Sequence, residues 1–267
     1  MMRILILVLI ILCISNSYVE AQNTLFTPYI AAPLEARIGS FYQPSKDKMR
    51  LDIGNTVDLS VFDKDSTWNY SIGTDAFILT RLRSEGNLKF PVETADYFFG
   101  FNCATKGIYA GKPVGLRLRL SHISTHLVDG AADKNGIFVD KKPFVYSREF
   151  ADITAYMQLS SLRLYSGVSW VWSTQPRDIG RLIPQLGFDM SIPLIKGIDC
   201  QAGYDMRIST VQSITLPTHS IRAGIAFINE QKKGTWIGVV SSFGRNIHGM
   251  YFTDQDAYIG FGFNVLY

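Results

Sequence analysis

Leu116, Leu118, Leu120, His122 and Ser124 alternate with Arg117, Arg119 and Ser121. In a strand this spacing places the leucines, the histidine and the serine on one face and the arginines on the other, because successive side chains of extended backbone point in opposite directions. A face of leucines needs lipid or a core against it. The same alternation recurs in segments of about ten residues, the periodic signal of strands that cross a bilayer. Further segments lie near residues 34–42, 50–62, 68–80, 94–104, 144–159, 162–173, 180–193, 198–208, 220–228, 235–244 and 256–267. Together with 114–124 the count is about twelve, and an even number lets a barrel close with both chain ends on one side. Closure leaves no strand with a free edge. The expected fold is all-β: a closed antiparallel transmembrane β-barrel of about twelve strands.

The connections agree with that expectation. Residues 63–67, 160–161, 194–197 and 229–234 read as tight turns, and residues 81–93, 125–143, 209–219 and 245–255 as longer loops, with Asn135-Gly136 at the tip of the longest. Bacterial outer-membrane barrels have short periplasmic turns and longer extracellular loops. The two faces also stay distinct. Tyr97, Phe99 and Phe101, then Leu182, Leu186, Phe188 and Met190, then Ile221, Ala223, Ile225 and Phe227 face outward. Arg117, Arg119, Arg148, Asp152, Arg163, Arg181, Asp189, Asp205, Arg207 and Arg222 face inward, as do Asp52, Asp58, Asp75 and Asp96. Opposed charges inside a narrow barrel predict a packed ion-pair plug rather than an open pore. Trp68, Trp170 and Trp172 suit an interfacial aromatic girdle. A soluble sandwich or lipocalin-like barrel is the competing architecture, and outward rows this complete would exceed the few hundred Å² of apolar patch that a soluble monomer tolerates.

Residues 1–21 read as a secretory signal peptide, with Arg3, an apolar run from Ile4 to Ile14, and Val19-Glu20-Ala21 as the small-residue cleavage site. That run is too short to span a bilayer as a helix, and no helix-length apolar run follows it, so membrane residence has to come from strands. Residues 22–33 are an irregular, Pro-containing lead-in, and residues 34–267 the barrel. The formal charge of +3 is too small and too scattered for nucleic acid. Cys103 continues an outward row and Cys200 lies on a distant strand between Ile198 and Ala202, so no disulfide is expected. Neither cysteine has the spacing of a metal site, and no cofactor is implied.

Centring the longest hairpin on Asn135-Gly136 sets Ser124 opposite Ser147 and His122 opposite Glu149. Directly opposed side chains lie about 5 Å apart. Glu149 shares the apolar row of its own strand with Ala151, Ile153, Ala155, Met157 and Leu159, so it joins His122 and Ser124 on the outer face. The three are a candidate serine hydrolase: Ser124 as nucleophile, His122 as general base and then acid, and Glu149 orienting the imidazole. The plainer reading is an interfacial histidine and serine that only hydrogen-bond across strands. His126 is expected on the loop surface, with a second polar group of the site as the alternative, and His219 and His248 in solvated loops.

The last segment, Ile259, Phe261, Phe263, Val265 and Tyr267, resembles the C-terminal signature of bacterial outer-membrane barrels. That resemblance implies residence in the bacterial outer membrane and assembly by the outer-membrane insertion machinery. His122-Ile123-Ser124 resembles the His-x-Ser pair that the outer-membrane phospholipase A and the lipid A 3-O-deacylases carry on the outside of a barrel. It implies a lipid esterase or deacylase acting on outer-membrane lipids or lipopolysaccharide. Thr125 stands where both families have an asparagine, which leaves the oxyanion-stabilising group unassigned. Leu25-Phe26 to Phe41, Leu120 to Leu127 with Asp129, and Tyr146-Ser147-Arg148-Glu149 resemble recurring segments of the bacterial family called domain of unknown function 1207, which implies no established activity. Val128 precedes Asp129 where that family's pattern has glycine. Two other classes compete with the enzyme: a small outer-membrane channel, and a structural or ligand-binding barrel that works through its loops.

Overall fold

The computed structural model describes residues 24–64 and 67–267, without the side chains of Asp63 and Lys64. The expected signal peptide, residues 1–21, lies outside the described residues. Twelve antiparallel strands close into a barrel, each paired with its neighbours in the chain and the first with the last. They are β1 (Ile38–Gln43), β2 (Lys48–Lys64), β3 (Trp68–Arg83), β4 (Val92–Tyr109), β5 (Lys112–Leu127) and β6 (Tyr146–Leu159). The second half comprises β7 (Leu162–Gln175), β8 (Leu182–Ile195), β9 (Ile198–Val211), β10 (Ile214–Ile228), β11 (Gly234–Arg245) and β12 (Gln255–Leu266). The wall is tallest along β2 to β5, at 16 to 18 residues per strand, and β1 has six. The start of β1 and the end of β12 pair at one end, through Ile38 and Val265. Four of the connections at the opposite end are long, the longest running over residues 128–145. Among the described residues no helix is long and apolar enough to cross a membrane.

Turn chemistry explains one departure from expectation. The loop foreseen over residues 209–219 is instead a two-residue turn, Gln212-Ser213, with β9 running to Val211 and β10 starting at Ile214. Both turn residues have positive φ, 51° and 65°. That is the backbone of a primed hairpin turn, which usually announces itself by Asn-Gly or Asp-Gly, and Gln-Ser carries no such signal. His219 therefore lies on β10, opposite Met206, and not in a loop. Arg181, expected inside, is exposed just before β8.

Alternation separates the faces as the pattern requires. In β5, Arg117, Arg119, Ser121, Ile123 and Thr125 are buried in the lumen, while Leu116, Leu120 and His126 are exposed outward and Leu118, His122 and Ser124 half-exposed. Phe99, Phe101, Leu182, Leu186, Ile259, Phe261 and Phe263 belong to the exposed apolar belt.

The lumen is filled, and its filling has two parts. Residues 24–37 thread through it instead of pairing as strand, so β1 begins only at Ile38 and Leu34 and Glu35 lie inside. This irregular backbone needs partners for its polar groups, and the inward charges supply them. Arg163 donates to the carbonyls of Thr27 and Pro28 at 2.9 Å, Arg50 to that of Pro33 at 3.2 Å, and Asp58 and Asp189 accept from the amides of Leu25 and Ile30. Arg117 makes a two-pronged bond to Glu35, at 3.0 and 2.5 Å. Arg119 and Arg207 share Asp152, and Arg163 pairs with Asp189. Tyr29 stacks on Tyr165, with ring centroids 3.7 Å apart. Toward the long-loop end the filling turns apolar: Phe77, Leu79, Phe98, Ile123, Phe150, Val171, Ile183 and Val211 pack with Met250, Tyr251 and Phe252 of the loop between β11 and β12.

Candidate functional site

β5 and β6 pair so that His122 faces Glu149 and Ser124 faces Ser147. The register is tightly determined, because a slip of one residue would bury Leu116, Leu118 and Leu120 among charges and expel Arg117 and Arg119 from their carboxylates. His122 Nδ1 lies 3.0 Å from Glu149 Oε1, with both side chains about a third exposed, at 28% and 32%. A carboxylate can only accept, so Nδ1 carries the proton of this bond, and in the neutral ring Nε2 is then the nitrogen with the lone pair. The ring leans on Phe99 of β4, directly opposite His122 in that pairing, at a centroid distance of 4.8 Å. The far oxygen of Glu149, Oε2, is shielded from solvent and has no partner.

A bulge fixes Glu149 from its other side. Between β6 and β7 the register shifts, so that Glu149 opposes Ser173 and Phe150 opposes Val171. Trp172 is the extra residue, which increases the local twist. Trp170 and Trp172 lie next to each other on the outer face, with centroids 5.9 Å apart, and Tyr97 is paired beside Ser124. The polar residues His122, Ser124, His126, Ser147, Glu149, Ser173 and Gln175 thus form a patch toward the long-loop end, framed by aromatic rings. The apolar row of Leu116, Leu118 and Leu120 lies below them.

Ser124 shares this outward row, half-exposed, but its hydroxyl makes no hydrogen bond to His122 among the described residues. Two residues along a strand separate their Cα atoms by about 7 Å, so only the side chains can bring the two groups into contact. Thr125, on the opposite face, donates to Asp96 at 2.5 Å inside the barrel and cannot serve the outer face. The polar groups that do face Ser124 are Ser147, directly opposite on β6, Gln175 beyond it on β7, and Tyr97 on β4.

The other histidines divide differently from expectation. His126 is exposed on the outer face with its ring edge-on to Tyr97. His219 is half-buried on the outside of β10, bonded to the Tyr204 hydroxyl at 2.8 Å and stacked on Phe243. His248 is not solvated: it is buried in the lumen, with Nδ1 2.6 Å from Asp96 Oδ2. Asp96 also accepts from the Gly249 amide at 2.7 Å, so one carboxylate ties the β11–β12 loop to the wall. That contact was hidden from the sequence because its partners are 152 residues apart. Phe99, by contrast, was within reach: the Ala110-Gly111 turn, with φ of 48° and 73°, sets the β4–β5 register that places it beside His122.

Comparison with known proteins adds no assignment. No protein-family model and no curated protein matches the chain. The likeness to the domain of unknown function 1207 family and to the His-x-Ser lipid hydrolases therefore stands on the quoted residues alone. Among the described residues no cluster of three or more His, Cys, Asp or Glu side chains is arranged to hold a metal ion. Cys103 and Cys200 are both free.

Proposed function

We propose that the chain is a bacterial outer-membrane barrel, assembled by the outer-membrane insertion machinery, that hydrolyses acyl esters of outer-membrane lipids or lipopolysaccharide at Ser124, His122 and Glu149. The observation that carries this reading is the 3.0 Å bond from His122 to Glu149 on the outward face, with Ser124 on the same row. A carboxylate on Nδ1 leaves Nε2 as the base, the division of labour that a hydroxyl nucleophile needs. The pair sits where the apolar row of β5 ends, which on this reading is the level of the ester bonds between acyl chain and headgroup. In the reaction Ser124 Oγ attacks the ester carbonyl and passes its proton to His122 Nε2. The imidazolium returns it to the departing alkoxide, and water then releases the acyl group by the same steps. Ser147, opposite Ser124, and Gln175, next across on β7, would donate to the developing oxyanion. The absence of a Ser124–His122 bond at rest is compatible with this, since such bonds often tighten only around substrate.

The filled lumen weighs against the channel reading. The structural reading retains one specific support: His122 is satisfied by Glu149 and packed on Phe99 without Ser124. Fatty-acid release by the purified full chain from mixed micelles of phospholipid, and separately of lipopolysaccharide, separates the two. Loss of the nucleophile in Ser124→Ala is expected to lower the rate by a factor on the order of 10³ or more. Equal release by wild type and Ser124→Ala removes that serine from the chemistry, and no release from either lipid favours the structural barrel.

A further inference from the structure

On the inner face of the same wall a second site emerges. The apolar part of the lumen holds a half-open cavity of about 80 Å³ lined by Leu34, Val171, Ile179, Ile183, Val211 and Phe252, with Ser169 and Thr218 among its polar lining. One water needs roughly 10–15 Å³ on this measure, and a dry cavity of ~150 Å³ takes up benzene. Arg148 also lines the cavity. Arg148 and Glu149 are adjacent in β6 and so point to opposite faces, which keeps this site distinct from the outward trio.

Arg148 differs from the arginines of the ion-pair network. Arg50, Arg117, Arg119, Arg163 and Arg207 each contact a carboxylate. The Arg148 guanidinium has no carboxylate and no hydrogen-bond partner among the described residues; it is held by the rings of Tyr146 and Phe150, 5.6 and 5.8 Å from their centroids. Its Nε is shut off from solvent without an acceptor. Arg245, also at the cavity, reaches only the backbone carbonyls of Phe252 and Ile214, and its Nε too is unpartnered. Leaving such donors unpaired next to apolar surface is unfavourable, and a small anion with an apolar body would satisfy both features at once.

We propose that this cavity binds an apolar monocarboxylate, the carboxylate on Arg148 and the hydrocarbon among Val171, Ile179, Ile183 and Val211. A guanidinium forms paired, charge-assisted bonds to a carboxylate, and the cavity, at about half the volume that takes up benzene, holds about three methylenes, the rest of a longer chain lying in its open mouth. The probe is hexanoate, titrated by equilibrium dialysis against the full chain in nanodiscs of zwitterionic phospholipid, with empty nanodiscs as the baseline. Saturable binding of one hexanoate per chain is expected, weakened tenfold or more in Arg148→Met, which keeps the stem between Tyr146 and Phe150. Ile183→Phe fills the cavity without touching the charge and is expected to abolish binding. Hexanol should bind at least tenfold more weakly than hexanoate, and inorganic phosphate should fail to displace it. Overturning results are binding no greater than that of empty nanodiscs, equal affinity in wild type and both variants, or displacement by phosphate with Ile183→Phe unaffected. Retention of the heat-modifiable gel shift in each variant shows that the barrel is closed, so loss of binding reports on the site.

Discussion

Removing the Glu35 carboxylate should be among the most damaging single changes available in the lumen, and its damage should be reversible by a second change. Glu35 accepts from Arg117 at 3.0 and 2.5 Å and lies 3.9 Å from Arg119, and both guanidiniums are 1% exposed. Arg119 retains Asp152 at 2.8 Å, but Arg117 pairs with no second carboxylate and keeps the rings of Phe26 and Tyr29, 4.4 and 5.8 Å away. Glu35→Leu therefore strands a buried cation, at a cost of about 3–5 kcal/mol when one partner of such a pair is deleted. At 1.4 kcal/mol per factor of ten, that shifts the equilibrium between seated and released plug by roughly two to three and a half orders of magnitude. The double variant Glu35→Leu with Arg117→Met removes both charges, and replacing a buried pair by apolar side chains is about neutral. Urea unfolding in lipid vesicles gives the global cost, and limited proteolysis over residues 24–37, with ion conductance in planar bilayers, gives plug release. The expected result is a destabilised or leaky single variant and a double variant close to wild type. A single variant that loses less than about 1 kcal/mol and stays protected, or a double variant as damaged as the single, refutes the view that the plug is held by paired charge.

Further outcomes follow from the same structure. Phe150→Ala, on the lumen side at 3% exposure, should cost about 3–5 kcal/mol of stability, whereas Phe101→Ala on the outer belt, 69% exposed, should cost clearly less; equal costs in vesicles would contradict the assignment of faces. Asp96→Asn weakens the carboxylate that holds His248 and the Gly249 amide, so amide exchange in residues 246–254 should speed up while the wall stays protected. The Ile137 and Asn135 amides donate to the Asp133 carboxyl and hold it below the usual carboxylate range. A depressed folded pKa stabilises the loop above the unfolded value and loses that contribution as pH falls through the folded one, so protection of the Ile137 amide should decline in acid; a flat profile would contradict this. Cys103 and Cys200 lie on β4 and β9, so migration of the denatured chain should be the same with and without reductant.

What could be read from the sequence depended on how local its cause was. Alternation in β5 and β6 is a local property, and with the Asn135-Gly136 tip it set not only the strands but the register that brings His122 to Glu149. The Gln212-Ser213 turn was equally local but had no glycine or asparagine to signal its positive φ, and an imaginary loop replaced it. The plug was visible only as a surplus of inward charge. Its carbonyls, at Thr27, Pro28 and Pro33, bear no side-chain signature, so nothing in the sequence says which arginine finds them. His248 shows the same limit from the opposite direction: a loop position argues for water, and only the closed barrel brings Asp96 to it.

The filled lumen bears on where chemistry could occur. A barrel whose interior is taken up by Glu35, Arg117, Arg119, Asp152 and the apolar cluster above them offers a bulk substrate no path through its axis. In the proposed membrane setting a lipid would approach from the side, where it would meet apolar side chains over most of the wall. On β5 and β6 the interruption of that surface is the patch that begins at His122 and Glu149. Outward charge at this level costs little only when it is paired and near the interface, and the 3.0 Å bond supplies the pairing. The same wall turns Arg148 inward with no carboxylate to meet it. Carboxylate pairing therefore accounts for Arg50, Arg117, Arg119, Arg163 and Arg207, whereas Arg148 faces the lumen without such a partner and the His122–Glu149 pair stands on the outer face.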